Sequence, residues 1–307
     1  MLVSKLGKML KIAFSPIYKL ELPEGHRFPM LKYELLPQQL LHEGTALPTD
    51  FYKPEICDLA PVLAIHQKEY VTDLLDLTLD AKAVRKIGFP LSKELVEREL
   101  IIAQGTIFGA QKSFDTKVSF NIAGGTHHAY TDHGEAFCLL NDQAIAAQFL
   151  LDTKLAKKIL IIDLDVHQGN GTAEIFQNNS KVFTFSTHGK TNYPFKKETS
   201  DLDIAFDDQT SDAMFLQTLA TVIPQLIETQ KPDFIFYLAG VDILATDKLG
   251  KLGCTLIGCK KRDELVFELC SKYQIPVQVS MGGGYSSDIK TIIEAHANTY
   301  RVAKDIF

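Results

Sequence analysis

The chain has 307 residues, 46% hydrophobic and 23% charged, which is enough to enclose a full core in one large domain. Its formal net charge of −6 and pI near 5.9 give no general attraction to nucleic acid or anionic membrane, both of which recruit clustered positive charge. Five cysteines, at 57, 138, 254, 259 and 270, lack the dense paired spacing of a secreted disulfide scaffold and suit a reducing, cytoplasmic setting.

Lysines at 5, 8 and 11 cut the apolar residues of the N-terminal stretch into pieces, unlike the continuous apolar core of an export signal. No segment approaches the ~20 uninterrupted apolar residues of a membrane span. Strand-like runs follow at 10–15, 118–123, 158–166, 182–187, 234–239 and 276–281. Between and after them, 94–113, 141–156, 211–229, 262–273 and 289–304 place apolar residues three and four apart, as helices do. Pro224 is expected to kink or interrupt the third of these helices.

The runs KILIID and FIFYLA are apolar at consecutive positions, as strands are when helices cover both faces of their sheet. The expectation is an α/β fold, a single domain over 1–307 with a doubly wound, mostly parallel sheet flanked by helices. The first ~90 residues are its least regular part.

In such a sheet the reactive crevice lies outside the carboxyl ends of the strands. Four predicted strand ends carry unusual segments: NIAGGTHHAY (121–130), DLDVHQGNG (163–171), LAGVD (238–242) and SMGGGYS (280–286). Alternation along a strand puts Asp163, Asp165 and His167 on one side, yet a straight strand spreads them over about 13 Å. Asp165 and His167 can share one ion, leaving Asp163 to orient a neighbour.

Asp242, ending the apolar strand FIFYLAG, is the natural third ligand. Two carboxylates and a neutral imidazole balance a divalent charge and leave a coordination position open. An Asp at a strand end also caps turns in many proteins, so this pattern carries weight only with its companions.

His127 and His128 follow Gly124 and Gly125 and suit proton transfer near neutral pH, although an isolated histidine pair is more often packing. Tyr285, behind a run of three glycines, could swing a phenol toward the site as a hydrogen-bond donor. His26, His42, His66, His133, His188 and His296 have no partner motif and read as structural or exposed. Cys254 and Cys259 lack the second pair of a zinc knuckle.

Together AGGTHHA, IIDLDVHQGNGT, AGVDILATDKLG and MGGGY resemble, in order and type, the histone deacetylase family with its arginase/deacetylase fold. GHRFPM (25–30), EAFCLLND (135–142) and FSTHG (185–189) extend the resemblance over nearly the whole chain, closest in style to compact bacterial and class IV members.

The resemblance implies zinc on Asp165, His167 and Asp242, with iron(II) or another divalent ion as substitutes, and hydrolysis of an N-acyl-lysine amide. It makes His128 the principal base and later acid, His127 an electrostatic partner oriented by Asp163, and Tyr285 the oxyanion donor. It also implies a structural potassium at Asp163, the carbonyls of Asp165 and His167, and Ser186 and Thr187.

Asn170 stands where many members place an aspartate behind the second histidine; an amide orients His128 without stabilising its cation by a full charge. Ala136 replaces a glycine that often lines the acyl-lysine channel. Phe137 and Leu249 are implied channel walls, with Tyr193 and Phe195 as further candidates, and Gly125, Gly283 and Gly284 as substrate-facing backbone.

Arg27 corresponds to a residue of an internal pocket below the metal. Phe89 falls where several members have a rim aspartate. The implied partner is an acyl-lysine protein or peptide, or an acylated small amine such as an acetylpolyamine, for which TDHGE (131–135) offers rim carboxylates. A non-catalytic acyl-lysine reader is the reading from another class. Oligomeric state is left open.

Overall fold

The structure is a computed structural model describing residues 10–307; the lysine-interrupted stretch at 1–9 lies outside the described residues. The strands are β1 Ile12–Ala13, β2 Phe51–Tyr52, β3 Val118–Asn121, β4 Ile159–Asp163, β5 Val182–Gly189, β6 Leu202–Phe206, β7 Phe234–Leu238 and β8 Val277–Ser280. They form one sheet in the order β2-β1-β3-β8-β7-β4-β5-β6, and every pairing is parallel. Every residue of β3, β4, β7 and β8 is buried, so both faces of the central sheet are covered, as the unbroken apolar runs require.

The cover is helical: α1 Lys32–His42, α2 Leu59–Leu63, α3 Lys68–Leu75, α4 Ala81–Ile87, α5 Lys93–Thr116, α6 Asp142–Asp152, α7 Asn170–Phe176, α8 Asp212–Gln230, α9 Leu256–Tyr273 and α10 Ile289–Ile306. One group packs α5 on α6 with α2 and α3, and another runs α8 on α9 on α10 on α1. No helix among the described residues is long and apolar enough to cross a membrane.

Helix α8 continues through Pro224. The ring removes a hydrogen bond to the carbonyl of Ala220, which is exposed and can be hydrated, while buried Ile223, Leu226 and Ile227 hold the helix to the core on both sides of it. Helix α9 starts six residues earlier than its apolar period suggests, because the Thr255 hydroxyl caps the Gly258 N–H. Strands β2 and β6 escape sequence reading: the first is two residues long, and the second is a short, half-exposed edge.

From β4 the chain moves outward through β5 and β6, then returns to β7 on the other side of β4 and continues to β8. The direction of winding therefore reverses between β4 and β7, which opens a crevice at their carboxyl ends.

Candidate active site

Strand β4 stops at Asp163, so Asp165 and His167 lie on a turn rather than on the straight strand expected from alternation. Two successive side-chain turns build it: Asp163 Oδ1 accepts the Asp165 N–H at 3.1 Å, and Asp165 Oδ1 accepts the His167 N–H at 2.9 Å. Asp242 arrives from the end of β7 and its Oδ1 accepts the Val166 N–H at 3.0 Å. The two segments meet across the crevice.

His167 Nδ1 lies 3.0 Å from Asp165 Oδ1 and 3.2 Å from Asp242 Oδ2. One ligand atom from each residue lies within 4.8 Å of the others, and all three residues are buried. Burial pushes the Asp242 carboxyl up to about 7, with Asp165 beside it adding to the effect. Burial opposes a charge on His167, but the two carboxylates outweigh it and raise its pKa to about 10. The two carboxylates thus call for a positive charge beside them. Two buried carboxylates and an imidazole fit a divalent ion, which would supply that charge.

The loop after β3 brings in the histidines. A side chain on Gly125, at φ +77°, would sit 2.9 Å from the Gly282 backbone, so only glycine lets these two strand ends touch. Asp142 ties the loop down: its Oδ1 accepts the N–H groups of Gly125 and Thr126 at 2.8 and 2.9 Å, and its Oδ2 accepts the Thr106 hydroxyl at 2.6 Å. His127 Nδ1 then lies 2.6 Å from Asp163 Oδ2, and His128 Nδ1 lies 2.6 Å from Asn170 Oδ1. Burial works against charging either ring; Asp163 reverses this for His127, whereas His128, with His127 and His167 near it, is held well below the usual histidine range.

The three glycines before Tyr285 serve close approach more than the swing expected from their sequence. A Cβ on Gly283 would overlap Asp242 Oδ2, and the Gly283 N–H donates to Asp165 Oδ2 at 2.8 Å. Gly284 packs against Val241 and His296 rather than facing substrate space. Tyr285 lies edge-on to His167, with ring centroids 6.4 Å apart, and burial keeps its phenol protonated.

Two cavities adjoin the cluster. An open depression of about 470 Å³ leads from the surface to His128 and His167, lined by Ala136, Phe137, Tyr193, Phe195, Leu249 and Tyr285, with Arg27, Lys86 and Lys251 around them. A smaller one of about 40 Å³ lies at the cluster itself, lined by His127, His128, Asp165 and His167 and reaching Gly125, Gly283, Phe28, Tyr33, Phe89 and Arg98. Ala136 and Phe137 both adopt left-handed backbone, at φ 46° and 70°.

Two expectations need correction. Arg27 is exposed at the outer mouth, its guanidinium 4.9 Å from the Phe137 ring centre, because Phe28 and Met30 take the inward positions of that loop. The internal pocket takes its arginine from α5, as Arg98. Phe89 is not on the rim: it is 2% exposed and packs on Phe28 and Phe137, ring centres 5.0 and 5.1 Å away.

Other site-building residues escaped sequence reading. Lys32 is fully buried and donates to the Gly282 carbonyl at 3.1 Å; burial lowers its pKa to about 8, against the pull of Asp242 and Asp165. Arg262, also fully buried, donates to the carbonyls of Gly240 at 2.5 Å and Leu164 at 3.3 Å, joining the ends of β7 and β4. The remaining histidines are structural or outlying. His66 is the clearest, accepting the Asn141 N–H at Nε2 and donating from Nδ1 to the Tyr130 carbonyl. All five cysteines are buried and free.

Comparison with known proteins agrees with this geometry. The family model described as the histone deacetylase domain matches residues 26–300. An uncharacterized protein of Picosynechococcus is 43% identical over 296 residues, covering 96% of this chain and 99% of its own. Histone deacetylase 2 of Arabidopsis thaliana is 26% identical, covering 94% and 76%, and acetoin utilization protein AcuC of Staphylococcus aureus is 27% identical, covering 85% and 72%.

Among solved structures, an HDAC homologue complexed with SAHA superposes with a TM-score of 0.85 at 22% identity, covering 98% of this chain and 85% of its own. The HDA15 HD domain does so at 0.81 and 21%, covering 97% and 89%. These likenesses establish the arginase/deacetylase fold. On the family match across nearly its whole length, the chain belongs to the histone deacetylase family and is a hydrolase of the deacetylase kind.

Proposed function

We propose that this chain is a zinc-dependent lysine deacetylase that hydrolyses the amide of short N-acyl-lysines in proteins or peptides. The observation that carries the reading is the buried Asp165–His167–Asp242 cluster at the floor of an open channel, with the His127–His128 pair beside it. Zinc held there would polarise the amide carbonyl and acidify water, and a set of two carboxylates and one imidazole suits it, with iron(II) as a substitute.

The chain's own groups do the rest. Phe137 and Leu249 flank the methylene stem of the lysine. Tyr285 donates a hydrogen bond to the carbonyl oxygen as charge develops there. His128, neutral because of its burial, accepts a proton from the attacking water at Nε2 and returns it to the leaving amine. His127, with Asp163 behind it, carries positive character beside the reacting centre.

Asp163 would also face a structural potassium. Ser186 stands opposite it in the register of β4 with β5, and the Thr187 hydroxyl beside it is buried without a hydrogen-bond partner among the described residues, which suits a cation completed by the carbonyls of Asp165 and His167.

The acetylpolyamine alternative fits less well. Among the described residues the channel mouth is lined by Arg27, Lys86 and Lys251 and by no carboxylate, which disfavours a polycationic amine. Glu135 neutralises Lys86 and Asp208 lies 4.0 Å from Lys251, so Arg27 is the cation that weighs most against such a substrate, while Asp132 binds His133. The small space beside the cluster, about 40 Å³, suits an acetyl group. A reader would have no use for the complete set of proton-handling groups.

The test is amide hydrolysis by metal-stripped, zinc-reloaded protein on an acetyl-lysine peptide, a long-chain acyl-lysine peptide and an acetylated polyamine, with Tyr285→Phe as control. Turnover of the acetyl peptide that collapses in the variant is the expected result. No turnover of any member at stoichiometric zinc would overturn the reading.

A further inference from the structure

Asn170 presents its two amide ends to different neighbours. Its Oδ1 lies 2.6 Å from His128 Nδ1. Its Nδ2 donates to Glu135 Oε1 at 2.6 Å and to the Tyr130 hydroxyl oxygen at 3.0 Å. Glu135 and Asn170 are 4% and 1% exposed. An ionised carboxylate only accepts hydrogen bonds, and the Tyr130 hydroxyl spends its proton on Glu198 Oε1 at 3.3 Å. Both neighbours at that end are therefore acceptors, and only the NH2 of the amide can face them.

This fixes the proton on His128. With Oδ1 turned toward the ring, Nδ1 must carry the hydrogen, and Nε2 is left as a lone pair. A flipped amide would present NH2 to Nδ1, move the hydrogen to Nε2 and leave the ring unable to accept a proton there. Burial disfavours a charge on Glu135, but His133 at 3.8 Å, the Lys86 ammonium 2.5 Å from Oε2 and the Tyr193 hydroxyl outweigh it and keep the carboxylate ionised.

We propose that Glu135 is a positioning residue that locks the tautomer of His128 by clamping the Asn170 amide between a buried carboxylate and the imidazole. The proposal rests on the reading of His128 as the base. The chain thereby obtains, through a neutral amide, the orientation that a carboxylate directly behind the ring would impose, while the negative charge stays one residue further away, neutralised by Lys86.

The test exchanges the roles of the two residues. Glu135→Gln frees the amide to flip, and kcat on the acetyl-lysine peptide is expected to fall about tenfold with KM nearly unchanged. Asn170→Asp alone sets two carboxylates against each other and should fall by at least as much. The double variant, Glu135→Gln with Asn170→Asp, rebuilds the contact with the amide and the carboxylate exchanged, so that the group behind the ring is again held as an acceptor. Its kcat should return to within about threefold of the parent.

The tautomer is read without turnover, by 15N-histidine NMR of the zinc-loaded protein with His128→Ala for assignment. The parent is expected to show Nδ1–H at His128, Glu135→Gln a mixture, and the double variant Nδ1–H again. Zinc content and melting temperature of each variant separate misfolding from misorientation, and the double variant tests the pair if Glu135→Gln alone does not fold. A parent without turnover but with the predicted tautomers would sink the deacetylase reading and leave the lock standing. An unchanged tautomer and kcat in Glu135→Gln, or a double variant no better than the worse single, would overturn the lock.

Discussion

Asp247 Oδ2 accepts the backbone N–H of Tyr285 at 2.6 Å, while its other oxygen accepts the N–H groups of Leu249 and Gly250 at 2.8 and 2.9 Å. One carboxylate thus sets the distance between the channel wall at Leu249 and the phenol at Tyr285. Asp247→Ala should lower kcat by roughly tenfold or more through misplacement of the phenol, because donors aimed at an oxyanion lose effect with small displacements. Zinc content should be unchanged. Tyr285→Phe, which removes the donor itself, is expected to cost about a hundredfold in kcat. Steady-state kinetics with metal analysis checks both.

Gly283→Ala would drive a methyl group into Asp242 Oδ2 and place it 2.9 Å from Asp165 Oδ2. The backbone or the carboxylates must move, and the ligand geometry goes with them. The expected outcome is loss of tight zinc binding, read as sub-stoichiometric metal after dialysis. Full zinc occupancy at parental affinity would contradict the packing argument.

Ala136 holds a left-handed backbone at φ 46°, a conformation that costs an L-residue about 1 kcal/mol and glycine almost nothing. Ala136→Gly should therefore leave stability unchanged or slightly raised, despite the added freedom of the unfolded chain. It should also widen the channel, improving kcat/KM for acyl groups bulkier than acetyl. Thermal unfolding and a panel of acyl peptides test the two parts separately.

His66 is 1% exposed, and burial lowers its pKa from 6.5 to about 4, against a smaller opposing effect of the Tyr130 carbonyl. Its Nε2 accepts the Asn141 N–H at 3.0 Å, a bond that protonation destroys. The folded pKa lies below the unfolded one, so the unfolded chain binds more protons between pH 6.5 and 4. Stability is therefore full above pH 6.5 and is lost as pH falls, by roughly 3 kcal/mol from this residue once pH reaches 4. His188, also pushed down to about 4 by burial, acts in the same direction. Unfolding curves from about pH 4 to 8 and an NMR titration of His66 check the sign; a His66 that titrates near 6.5 would contradict it.

Arg27 and Lys251 stand at the mouth beside Lys86. Reversing both, Arg27→Glu with Lys251→Glu, should raise kcat/KM for an acetylated polyamine about tenfold relative to the acetyl-lysine peptide, and the gain should shrink with added salt. Lys86 is unsuited to this test because it holds Glu135.

The parallel sheet was legible in KILIID and FIFYLA, because burial on both faces demands apolar residues at every position. Asp163, Asp165, His167, Asp242, His127, His128 and Tyr285 were legible as candidates because each is a polar residue at the end of such a run, where a crevice must open. The grouping of Asp165, His167 and Asp242 followed from alternation, their places at strand ends and charge balance. The contacts that hold them were not legible.

Glu135 meets Asn170 35 residues away, Asp247 meets Tyr285 38 away, Arg262 meets Leu164 98 away, and Lys32 meets Gly282 250 away. None of these pairs leaves a local period or spacing. Arg27 and Phe28 show the same limit within two residues, since which of two neighbours turns inward depends on the wall that it meets. The sequence by itself determined the fold class, the family and the candidate reacting side chains, because these follow from local pattern and residue chemistry. Only the tertiary structure decided which buried charges orient those side chains and which residues line the mouth or the inner cavity, because long-range packing alone brings such partners together.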